Sequence, residues 1–362
     1  MVTSPDRISL EQWNRTVLTR QHLLERVDDD AVEVLDRCVG LQSQDPRAAF
    51  FGLHSRIVDF DPAELDGLMV DREVVRMALL RSTVFCVDAE DARWIRPLAQ
   101  PTLDAELRTN HLRNIVAADP AAVADHAREL LTDTEMSTKA LGAALVERFP
   151  GESAPTLCTV ARCTLPLVQV PPRGLFAGSG ATTYRLFDEW VGPGEPAVTG
   201  AEAVHDLIRL YLRGFGPSTV AGIQSWSGLT RLRGPIEAME RDWELNRLTG
   251  PDGEELFDLD GLDIASADEP APARLLAPFD NVVVAQADRR RVIDEAVYKA
   301  MATPNGRMPG FAMVDGRVVG SWRVDAAGAV SVEYLLDVPA SRRRALEGEA
   351  DAVSEFVRQP TD

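Results

Sequence analysis

Apolar and polar positions along this chain come in blocks whose period changes. After Ser9, apolar residues recur at helical spacing through about Arg26, and again from about Ala31 to Val39. Ser9 and Gln12 have the spacing of a capping box. LQSQDP, residues 41–46, breaks the pattern. Asp45 suits an N-cap and Pro46 a first helical residue, so a third helix is expected to run to about Val58. VVRMALLRSTVFCV, Val74 to Val87, reads as two strands around a turn near Arg81-Ser82.

The order of helices, then strands, recurs. Helical segments are expected near Pro120 to Leu131, near Ser137 to Phe149, and over APTLCTVARCTL. Strands follow at Leu167 to Val170 and Thr183 to Phe187, joined by a long Pro- and Gly-rich connection. From near Gly200, AEAVHDLIRLYLRGF reads as an amphipathic helix with a break at Gly214. GPSTVAGIQSWSGL and TRLRGPIEAMERD continue it as helix, Gly-containing turn, helix. WELNRL and EELFDLD, joined by GPDG, supply a hairpin.

ADEPAPA, residues 267–273, is a linker, and strand content rises beyond it. LLAPFDNVVVA reads as a buried strand. GFAMVDGRVVGSWRV carries Asp315-Gly316 between alternating apolar runs, a two-residue hairpin signal. SVEYLLDV adds a strand, and PASRRRALEGEADAVSEFV closes as a helix. The fold class expected is therefore α+β, with tandem winged-helix units (helix-turn-helix plus β-hairpin) followed by a small β-rich C-terminal domain. The expected boundaries are 1–118 for a first unit holding the LQSQDP segment, 119–198 for a second and 199–266 for a third. An α+β domain then fills 267–362.

The chain's 362 residues allow several units with real cores. No apolar run is long enough to span a bilayer and no signal-peptide pattern opens the chain, so no membrane and a cytoplasmic location are expected. Four scattered cysteines, Cys38, Cys86, Cys158 and Cys163, have no zinc-site spacing and read as buried thiols.

Tandem winged helices usually bind duplex DNA, although the same units also serve as protein-interaction modules. A net charge of -19 counts against a phosphate-binding surface. From Pro270 to Ala345, however, 11 Lys and Arg face 8 Asp and Glu, so that segment carries +3 and the remainder -22. Arg289, Arg290, Arg291 and Arg342, Arg343, Arg344 supply most of it. ASRRRA also reads as a solvated helix end.

No nucleophile elbow, phosphate loop, HExxH zinc motif or dinucleotide fingerprint is present in a suitable context, and GSGATT reads as a plain loop. The five histidines stand singly; only His54, about two turns into the helix expected from Pro46, draws attention. LQSQDP has two readings. It is a polar turn between helices, or its two amides hold a water in line with a breaking bond. A Gln carbonyl can accept from water while its NH2 donates to a sugar or phosphate oxygen. Such positioning suits a reaction through a cationic sugar whose leaving group is already activated.

LQSQDPRAAFFGLHSR resembles the QxQ segment of the AlkZ-like (YcaQ-related) winged-helix DNA glycosylases. LRSTVFCVDAEDARWIRPLAQP, GPSTVAGIQSWSGL, LLAPFDNVVVAQADRRRVI and NGRMPGFAMVDGRVVGSWRV fit the same family, over roughly Arg7 to Leu336. The resemblance implies that Gln42 and Gln44 orient the hydrolytic water and support the sugar cation, with no metal and no organic cofactor. A sister branch has Asp at the second position, so Gln44 points to the AlkZ-like side. Two departures stand out. Ser43 sits where the family is often apolar, and Phe85 stands where an Arg-Gly-Thr-apolar-His segment would have its His. Phe85 reads as a buried strand residue or as a wedge against a base. Candidate substrate and DNA contacts are Arg47, His54, Arg56, Arg81, Thr83, Phe85, Arg289, Arg290 and Arg323.

The function expected is a monofunctional DNA glycosylase hydrolysing the N-glycosidic bond of alkylated purines, N7-alkylguanine or bulky and crosslinked adducts, in duplex DNA. A monomer serving DNA repair or toxin self-resistance is expected. The alternative is a non-catalytic winged-helix DNA-binding protein, a regulator or damage sensor; a protein-interaction scaffold is a third possibility.

Overall fold

A computed structural model describes residues 7–303 and 308–359. Asn305 to Arg307, at the start of one family-like stretch, lie outside them. The chain divides into two units: Met1–Asp61 with His205–Trp226 and Thr230–Asp362, and Pro62–Val204 with Ser227–Leu229.

In the first unit, helix Leu10–Arg20 starts at the expected capping box, with Ser9 N–H on Gln12 Oε1 and Gln12 N–H on Ser9 Oγ. It stops at Arg20 rather than about Arg26. His22 turns left-handed at φ 54, Leu23 N–H reaches back to Leu18 O, and Arg20 is buried against Asp258 at 2.7 Å. The next face of this helix ties distant segments together. Trp13 Nε1 donates to Pro217 O, and Asn14 Nδ2 donates to Gly316 O at 2.8 Å. Helix Gly200–Phe215 runs through Gly214 instead of breaking there. A Cβ on Gly214 would meet Arg37 O at 2.3 Å, so this glycine permits a close backbone approach.

Helices Val220–Ser227 and Arg233–Arg241 follow, then the antiparallel hairpin Leu245–Thr249 with Glu255–Leu259. Tyr211, Phe215 and Trp226 form an aromatic cluster with centroids 4.9–5.8 Å apart. The C-terminal sheet runs Val330–Tyr334, Arg317–Val324, Gly310–Val314, Arg274–Leu276, all antiparallel. Its central turn is Asp315-Gly316, with φ 50 and 78 as a two-residue hairpin requires. Helix Ala340–Val357 closes the chain as expected. LLAPFDNVVVA is not one strand: strand Arg274–Leu276 ends and Asn281–Val284 is a helical turn. Asp280 caps that turn, accepting from Val282 N–H at 3.0 Å.

In the second unit, strands lie in the order Val84–Asp88, Val74–Ala78, Leu167–Gln169, Thr183–Leu186, Met136–Ser137, each pair antiparallel. Helices Ala89–Glu106, Pro120–Leu131, Thr138–Arg148 and Ala154–Thr164 bury their apolar stripes, with Leu103, Val123, Leu141, Leu145, Leu157 and Val160 fully enclosed. The Glu152 carboxylate accepts from the backbone N–H groups of Val116, Ala117 and Ala118, which anchors the approach to helix Pro120–Leu131. The fold is thus a mixture of helices and antiparallel sheet.

Candidate functional site

The LQSQDP segment begins at a strained joint. Helix Ala31–Cys38 ends at Val39, whose backbone is left-handed (φ 55, ψ 49). A β-branched side chain disfavours that conformation, so the surroundings must impose it. Val39 N–H bonds Asp36 O at 3.0 Å and Gly40 N–H bonds Leu35 O at 2.8 Å, a Schellman closure. Gly40 continues at φ 71, and Leu41–Gln42 are then extended. Leu41 abuts Gly52 of helix Ala48–His54, where a Cβ would meet Leu41 Cδ1 at 2.8 Å.

Burial then splits the two amides. Gln42 is 7% exposed and Ser43 is fully buried, whereas Gln44 and Asp45 are exposed. Asp45 Oδ1 accepts from Arg47 N–H at 2.9 Å, and Asp45 O accepts from Ala48 N–H at 3.0 Å. Asp45 therefore stabilises a turn, and the helix begins at Ala48 rather than Pro46 and ends at His54 rather than about Val58. Arg47 is half-buried, its guanidinium 5.7 Å from the Phe51 ring.

A buried polar cluster holds this segment from residues distant in sequence. Asn281 Nδ2 donates to Gly40 O at 3.5 Å. Arg56 pairs with both oxygens of Asp280, at 3.0 and 3.1 Å, and both side chains are fully buried. The guanidinium also donates to Gly52 O, Ser55 Oγ and Gln21 Oε1. Burial is the largest single influence and opposes its charge, but the Asp280 carboxylate and Cys38, through charge and hydrogen bonds together, hold the Arg56 pKa above its ordinary value. The expected phosphate contact of Arg56 is corrected accordingly, since this side chain has no surface to offer and holds the helix end. Asp280, Asn281 and Gln21 were not anticipated. The available signal was an Asp-Asn pair inside a stretch otherwise apolar enough to be buried.

The other candidates of the first unit have partners of their own. His54 stacks on Phe356 at 4.5 Å, and burial, then Arg26 and Arg274, push its pKa down to about 4. Arg289 lies over Tyr298 at 4.3 Å. Arg290 bonds Asp252 and Asp288, and Arg291 is buried over Trp13. Arg323 is exposed near Glu333, Arg342 pairs with Asp315, and Arg343 with Asp337. Arg290, Arg342 and Arg343 are thus matched by carboxylates and Arg291 is buried, which leaves less open cationic surface than the two Arg runs suggest in sequence.

In the second unit, Arg81 and Ser82 occupy the two central positions of the hairpin turn at φ 53 and 58, and Thr83 N–H closes it on Leu80 O. Those angles favour Asn-Gly, so this turn too is held by its surroundings. Ser82 Oγ bonds Glu106, which also pairs with Arg162 at 3.0 Å and His111 at 3.2 Å. Thr83 Oγ1 bonds Leu80 O. Phe85 is 1% exposed in its strand, with Arg81 5.4 Å from its ring, which favours the buried-strand reading over a wedge.

Among the described residues no group of three or more His, Cys, Asp or Glu side chains is arranged to hold a metal, and no helix is long and apolar enough to cross a membrane. The Gln42–Gln44 stretch itself offers two neutral amides, one buried and one exposed. A family model for AlkZ-like DNA glycosylases matches residues 35–356. No curated protein matches the sequence significantly. Among solved structures, DNA glycosylase AlkZ of Streptomyces sahachiroi is similar with a TM-score of 0.76 over 97% of both chains at 21% identity, which establishes a shared fold. The chain belongs to the AlkZ-like DNA glycosylase family.

Proposed function

We propose that this protein is a monofunctional glycosylase that hydrolyses the N-glycosidic bond of alkylated purines in duplex DNA, with Gln42 and Gln44 positioning the water. N7-alkylguanine and bulkier or crosslinked adducts are the substrates proposed. The observation that carries this reading is a pair of amides two residues apart, Gln42 on the extended Leu41–Gln42 pair and Gln44 in the bend after it, just beyond the left-handed Val39 and the Gly40 carbonyl held by Asn281, in a chain of this family. An N7-alkylated guanine leaves C1′ with the bonding electron pair and departs neutral. Water then adds to the cationic sugar and gives its proton to solvent. Such a reaction asks mainly for placement of the water and dipoles aimed at developing positive charge.

We read helices Gly200–Phe215, Val220–Ser227 and Arg233–Arg241 with their hairpin as one winged helix, and the two preceding helix-and-strand groups as others. A monomer and damaged duplex DNA complete the proposal. Phe85, apolar and buried where the resemblance implies His, favours one second reading, a DNA-binding protein without catalysis.

Base excision from a duplex with one N7-methylguanine, scored by alkaline strand scission, tests the assignment. Wild type is expected to cut, and Gln42→Ala or Gln44→Ala to slow excision by about 10²–10³-fold with duplex affinity retained. Undiminished scission in both variants removes the amides from the mechanism. Tight DNA binding without scission by wild type, on this and on bulkier adducts, favours the second reading.

A further inference from the structure

The second unit contains a cavity of about 480 Å³, in the size range of small-molecule sites. Its walls are chiefly apolar, with Pro97, Pro166, Phe187 and Pro196 contributing. Two cations line it, Arg93 and Arg96, one helical turn apart on helix Ala89–Glu106.

The two are not equivalent. Arg93 is matched: Nη1 pairs with Asp188 at 3.1 Å, Nε approaches Glu90 at 3.6 Å, and the guanidinium lies over Phe187 at 5.0 Å. Arg96 is 6% exposed and bonds only neutral acceptors, Gln100 Oε1 at 2.6 Å, Leu165 O at 3.2 Å and Cys163 O at 3.3 Å. Its Nε has no partner, and no carboxylate lies within ion-pair distance among the described residues. Arg cannot shed its proton at neutral pH, so this is a buried positive charge with no carboxylate in direct contact; Asp104 is linked to it only through Gln100, whose Nε2 donates to Asp104 Oδ1 at 2.5 Å. Burial pushes its pKa down to about 10, and Cys163 and Asp104 offset this only in part. Arg291 is likewise without a carboxylate, but it packs on Trp13, whereas Arg96 lines a cavity.

We infer that this cavity is a binding site for a small organic monoanion, a carboxylate on an apolar or aromatic body, whose charge answers Arg96 and whose body packs on Phe187 and the prolines. Asp188 in the lining and exposed Glu90 nearby disfavour a polyanion such as a DNA backbone. The site is independent of the Gln42–Gln44 assignment.

Calorimetric titration of the full chain with 4-phenylbutyrate, its neutral amide and inorganic phosphate tests the inference. The acid is expected to bind below about 1 mM and the amide about tenfold or more weaker, with phosphate silent. Arg96→Gln should abolish the preference for acid over amide. Pro196→Trp, which fills the cavity from a half-buried position without touching the charge cluster, should block the acid while melting temperature and base excision stay at wild-type values. Equal binding of acid and amide, unchanged acid binding in Arg96→Gln, or no binding of either probe overturns the proposal. Displacement of the acid by undamaged duplex would assign the cavity to nucleic acid and overturn it also.

Discussion

Arg56 and Arg96 are both buried guanidiniums, one in each unit, and they resolve their burial differently. Arg56 meets Asp280 through two hydrogen bonds and has three further neutral acceptors, Gly52 O, Ser55 Oγ and Gln21 Oε1. Arg96 meets an amide and two backbone carbonyls and lines a cavity. His54 takes a third route: near Arg26 and Arg274 it stays neutral, with its pKa lowered to about 4. A side chain that can drop its proton avoids the desolvation penalty, and one that cannot needs an opposite charge. For Arg56 that charge is built in; for Arg96 the cavity leaves room for it to arrive.

The largest effect should come from breaking the built-in pair. Asp280→Asn leaves Arg56 charged and buried, and should lower the free energy of unfolding by about 3–5 kcal/mol in urea denaturation. Arg96→Met removes a charge that no carboxylate contacts directly. The acceptors it abandons each lose a donor worth about 1 kcal/mol, partly offset by the charge no longer being buried, so its cost should stay below about 2 kcal/mol. Equal costs for the two variants would mean that Arg96 has a counter-charge after all.

The next effect depends on pH. His54 in the unfolded chain titrates near 6.5 and in the native protein near 4. Above about pH 6.5 it is neutral in both states and changes nothing. As pH falls from 6.5 to 4 the unfolded chain takes up a proton that the native state refuses, so stability declines, by about 1–3 kcal/mol. Below pH 4 the decline ends. His54→Gln should flatten this part of the stability profile. His22, lowered to about 4 by burial and then Arg37 and Arg56, contributes a similar slope that the variant leaves behind. A profile unchanged by the substitution would place the His54 proton outside the folding equilibrium.

These contrasts also show what local sequence carries. Helix Pro120–Leu131, the capping box at Ser9 and the Asp315-Gly316 hairpin were legible because period and turn chemistry act over a few residues. The start of helix Ala48–His54 was misplaced because an Asx turn at Asp45 competes with a helix N-cap using the same atoms. Arg56 could not be assigned because its partner is 224 residues away. The Arg runs read as a cationic surface in sequence because Asp252 and Asp315, which pair with Arg290 and Arg342, come from other segments of the chain. Gln42 and Gln44 stood out as a pattern, but that one is buried and the other exposed depends on Val39 and Asn281.

The smallest effect separates a matched surface cation from an unmatched one. Arg290 is held by Asp288 and Asp252, whereas Arg47, beside the exposed Gln44-Asp45 pair, has no carboxylate partner among the described residues. A matched Arg has little charge to offer a phosphate, and exposed ion pairs contribute under about 1 kcal/mol to stability. If duplex DNA meets the LQSQDP segment, Arg47 can release about one condensed counterion on binding. Arg47→Ala should then lower the slope of log affinity against log salt by about one unit, while Arg290→Ala leaves it unchanged. Neither substitution should shift the unfolding midpoint appreciably. The slope isolates phosphate contact from folding and from the excision chemistry. A larger change for Arg290→Ala would mean that its carboxylates yield to DNA, and that the duplex is held by the C-terminal arginines instead.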